Sequence, residues 1–222
     1  MTKKALLSRS NVPDVEQMQN EELYTKILEL NFDEMIPFVL SNIRKKGIMS
    51  WLFIAVNVIG LSSIGVFSIW DIYTGWIHWS RFIIQLILGI LAGSIIVIPF
   101  HELLHGLAYI ILGAKKIKFG ANLQQFFFFV TADRFLVNRK ELFFLALLPF
   151  GVLNLALMMV ALFWLTQYSI LFGFLLLSHN LMCIGDFAVT NYVLNEKEEV
   201  FTYDEPENKK SFFYKTVKSN LL

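Results

Sequence analysis

The sequence predicts an all-α membrane protein with four transmembrane helices and a short β-hairpin in the cytosolic loop between helices 2 and 3. Hydrophobic residues make up 56% of the 222 residues and charged residues only 17%, whereas soluble domains are usually about 45–50% apolar and about 25% charged. The apolar residues also form long runs rather than alternating with polar ones. Both observations favour a bilayer as the solvent of most of the chain.

The charge and the cysteine content indicate which partners the chain can bind and whether it depends on disulfides. The net charge of +1 gives no basic field that would attract nucleic acid, so no nucleic-acid partner is expected. The single cysteine, Cys183, cannot form an internal disulfide. The first long apolar run begins near Met49, which is too far from the N-terminus for a cleaved signal peptide. The expected surroundings are therefore the lipid bilayer and proteins embedded in it.

Four apolar runs reach the length of about 20 residues that a helix needs to cross a membrane. They cover residues 50–70, 82–112, 142–165 and 169–194. Lysines and arginines cluster at residues 44–46, 115–140 and 197–210, whereas the two other loops hold only Arg81. Because basic loops stay inside, both termini and the central loop are predicted to be cytosolic. Tryptophans near the span ends fit an interfacial belt: Trp51, Trp70, Trp76, Trp79 and Trp164.

The chain divides into three predicted parts. Residues 1–48 form a cytosolic N-terminal helical segment, residues 49–194 form the transmembrane domain, and residues 195–222 form a cytosolic tail. The helical prediction for the first part is based on apolar residues at helical spacing, namely Met18, Leu23, Ile27 and Leu30. In the central loop, residues 118–123 and 126–131 are predicted as two strands, since the second is rich in β-favouring residues.

A possible metal-binding motif lies inside the second apolar run. His101 and His105 are four residues apart, so both imidazoles lie on one helix face and can hold one zinc ion. Glu102 follows the first histidine and can take a proton from a water at that ion. A charged group at the bilayer centre costs roughly 2.5–3.5 kcal/mol, which makes three such residues there unusual without a cation. The alternative is that the histidines are hydrogen-bonded helix-packing residues.

Asp186 is the best candidate for a third ligand. His105 lies eight residues before Gly113, and Asp186 lies about as far before Asn195. At 1.5 Å per residue both side chains lie roughly 12 Å below the cytosolic surface. Three protein ligands leave a fourth position for water, as a catalytic zinc site requires. Two histidines and an aspartate suit zinc, although iron and cobalt accept the same donors.

Other polar residues at this depth leave alternatives open. His179 can replace the carboxylate as a ligand or support the site from behind, and Cys183 is more typical of a small buried apolar residue than of a ligand. Asn180 and Asn154 can stabilise an oxyanion or simply hydrogen-bond neighbouring helices. Pro99 can kink the helix and open a water pocket, or be one of the prolines common in membrane helices.

Residues 100–106, Phe-His-Glu-Leu-Leu-His-Gly, with the distal pair Gly185 and Asp186, resemble the site-2 proteases. They are most similar to a related bacterial family named putative zincin peptidases, whose function is largely unassigned. The resemblance covers residues 95–192 and implies a zinc peptidase of a bacterial cell membrane that acts on a membrane protein or peptide. It implies zinc bound by His101, His105 and Asp186, with Glu102 as the general base. The order Gly185–Asp186 departs from the Asp-Gly pair of site-2 proteases, and no proline lies between Asn180 and Asp186.

Site-2 proteases are also similar in having a membrane-dipping hairpin at the position of the predicted one. The resemblance implies that Phe119, Gly120, Ala121 and Asn122 bind an extended substrate by adding it as a strand. The alternative is an aromatic hairpin on the membrane surface that does not touch substrate.

Two other function classes compete with a peptidase. One is a non-hydrolytic, metal-binding membrane assembly or adaptor protein with the same fold, because an intact site does not prove turnover. The other is a transporter, which is disfavoured because the chain has few spans and no inverted repeat.

Overall fold

The computed structural model describes residue 9 and residues 12–122, 127–163 and 168–217. This part of the chain is mostly helical and also contains two small sheets. Trp164, and the predicted strand residues Leu123 and Phe126, lie outside the described residues.

The helices follow the apolar runs but are more finely divided than the sequence predicted. Among the described residues the α-helices are α1 (Met35–Ile43), α2 (Ile48–Tyr73), α3 (Trp79–Ile95), α4 (Val97–Leu112), α5 (Arg139–Phe163), α6 (Ser169–Met182) and α7 (Ile184–Asn195).

Three stretches in the described part are long and apolar enough to cross a membrane: Ile48–Tyr73, Trp79–Leu112 and Arg139–Ala161. The pair α6 and α7 meets the same criterion only when taken together, and the two helices are bent by 42°. The structure therefore holds three such spans, or four if the bent pair is one span. Large apolar side chains on α2 remain exposed, among them Ile59 at 65% and Phe67 at 65%. So much exposed apolar surface suits contact with lipid rather than water.

Both of the helices that carry predicted ligands are interrupted shortly before the ligand. The break between α3 and α4 falls at Ile96, because Pro99 has no N–H for the Ile95 carbonyl and its ring conflicts with that carbonyl. The break between α6 and α7 falls at Cys183, three residues before Asp186. The sequence analysis considered a kink at Pro99, and the structure has a helix break three residues before that proline.

Two glycines let α3 and α6 approach closely. A Cβ on Gly89 would lie 2.5 Å from the Leu171 carbonyl oxygen, and one on Gly93 would lie 2.3 Å from Ser178 Oγ. Glycines four residues apart allow this kind of close helix packing in membranes, where dispersion contacts replace the hydrophobic effect. This motif fixes the position of α6, the helix that carries His179.

The strands form two sheets. The strands are β1 (Tyr24–Asn31), β2 (Ile117–Asn122), β3 (Phe127–Ala132), β4 (Val137–Asn138), β5 (Val200–Glu205) and β6 (Lys210–Thr216). β2 and β3 are antiparallel, with Ile117 opposite Ala132. The other strands form an antiparallel sheet in the order β1-β6-β5-β4, here called the terminal sheet, which joins residues 24–31 to residues 200–216.

Two sequence predictions need correction here. The class all-α is too narrow, because the four-stranded sheet is part of the fold. The helical N-terminal segment is wrong over Tyr24–Asn31, which forms β1, while Met18 lies in the 3-10 turn Val15–Gln19. Pairing with β6 overrides the helical spacing, since strand formation depends on partners that are distant in sequence. The C-terminal tail supplies those partners.

The sheet rests on the end of the helical part. Val193 of α7 packs with Val200 and Phe213, and all three are buried. A second buried cluster joins Leu30 of β1 and Val39 of α1 to α7. The terminal sheet thus covers one side of the cavity in which the predicted metal ligands lie.

Candidate metal centre

The three predicted ligands come together in the structure. His101 Nε2 lies 3.1 Å from one carboxylate oxygen of Asp186, and His105 Nε2 lies 3.4 Å from the other. The two Nε2 atoms are 3.0 Å apart. Side chains from α4 and α7, far apart in sequence, therefore point three donor groups at one position.

The hydrogen bonds of His105 indicate a positive charge at that position. His105 Nδ1 lies 2.9 Å from the Leu145 carbonyl oxygen. A carbonyl only accepts, so Nδ1 carries the hydrogen and a neutral His105 presents a lone pair at Nε2. That lone pair faces the Asp186 carboxylate, which also only accepts. Two such acceptors are stable at this distance only when a positive charge lies between them, either a proton on Nε2 or a metal ion.

The donor set and its spacing fit zinc. Zinc binds histidine nitrogen and carboxylate oxygen at about 2.0–2.2 Å in tetrahedral sites, so neighbouring ligand atoms lie roughly 3.3 Å apart. The three separations here, between 3.0 and 3.4 Å, match that spacing. Three protein ligands are also the number found in catalytic zinc sites. His101, His105 and Asp186 are therefore the residues that would hold the ion.

His179 lies behind His101 rather than in the place of Asp186. Its Nε2 atom is 3.1 Å from His101 Nδ1, the ring nitrogen that points away from the carboxylate. Histidines that bind a metal usually use their second nitrogen for such a contact, which fixes the ring orientation. Of the two roles considered for His179, the arrangement favours support of His101.

Cys183 offers a second possible grouping with the same histidines. The ligand atoms of His101, His179 and Cys183 lie within 4.8 Å of one another. However, the sulfur is 3.3 Å from the His179 carbonyl oxygen, a contact in which the thiol donates its hydrogen. A metal needs the thiolate, which has no hydrogen to donate. Cys183 is fully buried and packs with Met49 and Phe187, so it behaves here as a small apolar residue.

Glu102 lies beside the two histidines. Its carboxylate belongs to a group with His101 and His105 in which all ligand atoms are within 4.8 Å. The side chain is half-buried and lines the same cavity as the three ligands. Its position is suitable for a group that exchanges protons with a molecule bound next to the ligands.

The cavity has a volume of about 460 Å³ and is mostly apolar. α1, β3, α4, α5, α7 and the terminal sheet all contribute to its wall. The acidic residues in the described wall are Glu102, Asp186 and Asp204, and no lysine or arginine is among the described lining residues.

The hairpin reaches this cavity with β3 rather than with the predicted residues of β2. Phe119, Gly120 and Ala121 do not line it, whereas residues 128–131 do. The Phe119 ring instead lies over Gly106, where a Cβ would be 3.2 Å from the ring. The Phe129 ring covers Gly120. Asn122 ends β2, and its side chain lies outside the described part of the structure.

Asn180 is placed away from the cavity wall. Its Oδ1 accepts a hydrogen bond of 2.8 Å from Asn154 Nδ2, and neither residue is among the described lining residues. The pair joins α5 to α6, which favours the helix-packing interpretation of both asparagines over a role in oxyanion stabilisation.

Asp204 of β5 and Tyr109 of α4 are among the cavity-wall residues that sequence reasoning missed. The Asp204 carboxylate accepts hydrogen bonds from Ser211 Oγ, at 2.5 Å, and from the Tyr109 hydroxyl. Burial raises the pKa of Asp204 to about 6. Tyr109 lies one helical turn after His105, which was a usable signal. Asp204 had no comparable signal, because only the pairing of β5 brings it to α4.

Comparison with known proteins gives a match to a protein family. Residues 94–201 match the model of a family described as "Putative zincin peptidase". The matched segment includes His101, Glu102, His105 and Asp186 and ends before Asp204. Searches of curated proteins and of solved structures give no match.

Proposed function

We propose that this chain, which contains a segment of the zincin-peptidase family, is a zinc-dependent intramembrane peptidase that hydrolyses peptide bonds of membrane-embedded substrates. The observation that carries the proposal is the convergence of His101, His105 and Asp186 beside Glu102, within helices that are apolar enough to span a bilayer. A site within such apolar helices favours a membrane-embedded substrate over a water-soluble one.

A zinc ion at these ligands supplies Lewis-acid chemistry, which acidifies water and polarises a carbonyl. The residues of the chain provide the rest. Glu102 accepts the proton of the attacking water and passes it to the leaving amine, so the carboxylate acts first as base and then as acid. His179 and the Leu145 carbonyl hold the rings of His101 and His105 in orientation.

The cavity wall supports the choice of substrate. Peptide bonds within a helix are shielded by their own hydrogen bonds, so a substrate span must unwind before hydrolysis. A mostly apolar cavity next to the ligands can take up apolar side chains of the unwound segment. β3 lines the cavity, and we expect an extended chain to pair with this strand.

Zinc content and proteolysis together test the proposal. The purified protein is reconstituted in liposomes with a single-span peptide that carries a fluorophore and a quencher on opposite sides of its apolar segment. We expect the wild type to hold one zinc ion per chain and to cleave the peptide, and Glu102→Gln to keep the zinc but lose cleavage. Glu16→Gln, an exposed carboxylate in the turn Val15–Gln19, is the matched control.

Each component has its own refutation. Cleavage by Glu102→Gln at the wild-type rate would reject Glu102 as the base. Cleavage that survives complete removal of zinc by a chelator would reject metal dependence. A zinc-loaded wild type that binds single-span peptides but cleaves none of them would replace the peptidase by the adaptor alternative.

A further inference from the structure

Asp204 is a carboxylate in the wall of the cavity that the peptidase chemistry does not use. It belongs to β5, outside the segment matched by the family model, and it reaches the cavity only because the terminal sheet packs over α4. Its carboxylate accepts hydrogen bonds from Ser211 and Tyr109. A carboxylate offers about four lone-pair positions, so these two bonds leave room for a further donor.

The charges in the cavity leave Asp204 without a counter-ion. Within the described part of the chain, no lysine or arginine nitrogen lies within 4.0 Å of its carboxylate, and none lines the cavity. A doubly charged zinc ion would offset the charges of Glu102 and Asp186, so the remaining charge is that of Asp204. A half-buried carboxylate in a mostly apolar cavity is costly without a cation, and a ligand that brings a positive charge would offset that cost. The aromatic rings of Tyr109 and Tyr203 in the same wall also favour a cation.

We propose that Asp204 forms a substrate-binding subsite for a basic side chain, lysine or arginine, near the scissile bond. This inference rests on the proposed peptidase function and names the substrate class of that site. Membrane proteins carry basic residues where their spans meet the cytosol, so such a side chain is commonly available there.

The distance along α4 sets the position of that residue in the substrate. Tyr109, which contacts the Asp204 carboxylate, follows Glu102 by seven residues, or roughly 10 Å at 1.5 Å per residue. An extended peptide advances about 3.3 Å per residue. The basic residue therefore lies about two to four residues from the scissile bond, on the side of the terminal sheet.

The test uses the full-length, zinc-loaded protein in liposomes and pairs of single-span peptides. Within each pair, one peptide has lysine and the other norleucine at one position, scanned from one to five residues on each side of the cleavage site. We expect the wild type to cleave the lysine peptide with about tenfold higher kcat/KM at one or two positions. Asp204→Asn should reduce that ratio to about one, whereas Asp133→Asn, a neighbouring carboxylate that does not line the cavity, should keep it.

Binding measured without hydrolysis separates this inference from the proposed function. In the Glu102→Gln background, fluorescence anisotropy should show weaker binding of the lysine peptide when Asp204→Asn is added, and unchanged binding of the norleucine peptide. If no peptide is cleaved but this difference in binding is found, the subsite stands and the peptidase proposal fails. If peptides are cleaved and the lysine ratio is the same in wild type and Asp204→Asn, the subsite is refuted and the peptidase proposal stands.

Discussion

Substitution of Gly93 by alanine tests whether the close approach of α3 and α6 holds the metal centre together. The added Cβ would lie 2.3 Å from Ser178 Oγ and 2.9 Å from the Leu175 carbonyl oxygen, so the two helices must separate. Such overpacking typically costs about 1–3 kcal/mol. Replacement of glycine by alanine in a helix also contributes about 1 kcal/mol of stabilisation, which partly masks the cost.

Gly65→Ala in α2 is the matched control, because no atom lies within 4 Å of its added Cβ. Both variants gain the same helix propensity, so their difference isolates the overpacking at Gly93. We expect Gly93→Ala to be less stable than Gly65→Ala by about 1–3 kcal/mol in reversible detergent unfolding. Zinc affinity should also fall in Gly93→Ala alone, because α6 carries His179. Equal stability and equal zinc affinity of the two variants would refute this account of the helix pair.

Three further predictions follow from the geometry of the site and of the sheet. His179→Ala should lower zinc affinity about 10- to 100-fold in competition with a chelator, since His101 loses the partner of its Nδ1 atom; exposed His78→Ala should not. Asp186→Asn should lose zinc while Glu102→Gln keeps it, which is measured as metal content after gel filtration, and zinc retained by both would contradict the ligand assignment. The pKa of Asp204 is about 6 in the folded protein against an ordinary value of 3.8. The folded state therefore binds the Asp204 proton more tightly than the unfolded state does. This tighter binding adds to the unfolding free energy below about pH 4, and the added stability is lost as the pH rises through 6. Asp204→Asn should remove that loss and raise the unfolding free energy at pH 7.5 by up to about 3 kcal/mol, the energy of the pKa difference; a lower unfolding free energy at that pH would contradict it.

The stability prediction for Asp204 is opposite in sign to what a structural role would give. If the carboxylate served only to tie β5 to α4, its replacement would weaken the fold at neutral pH. If the variant is more stable and has lost its preference for lysine peptides, Asp204 has a binding role rather than a structural one, because functional groups commonly reduce stability.

Several parts of the fold could be predicted because their signals are local. A run of about 20 apolar residues predicts a span whatever it packs against, and α2 and α5 lie close to the predicted ranges. Histidines four residues apart share a helix face by geometry alone, so His101 and His105 could be paired from the sequence. Pro99 likewise acts on its own helix, where the break before α4 is found.

The parts that sequence reasoning missed depend on contacts between distant segments. β1 was predicted as helix because its apolar residues fit a helical period, and only the pairing with β6 selects the strand. The residues 200–203 and 211–214, rich in aromatic and β-branched side chains around Pro206, were a usable hairpin signal. The contact of β3 rather than β2 with the cavity had no such signal, because it depends on how the hairpin packs on Gly106.

The sequence by itself determined which residues can bind a metal and which segments are apolar enough to cross a membrane, since residue type and spacing along one helix suffice for both. Only the tertiary structure decided that Asp186 meets both imidazoles, that His179 stands behind His101, and that Asp204 enters the cavity. Each of these depends on a helix break or on a sheet built from both ends of the chain. Such relations are set by the packing of surfaces distant in sequence, which no local pattern encodes.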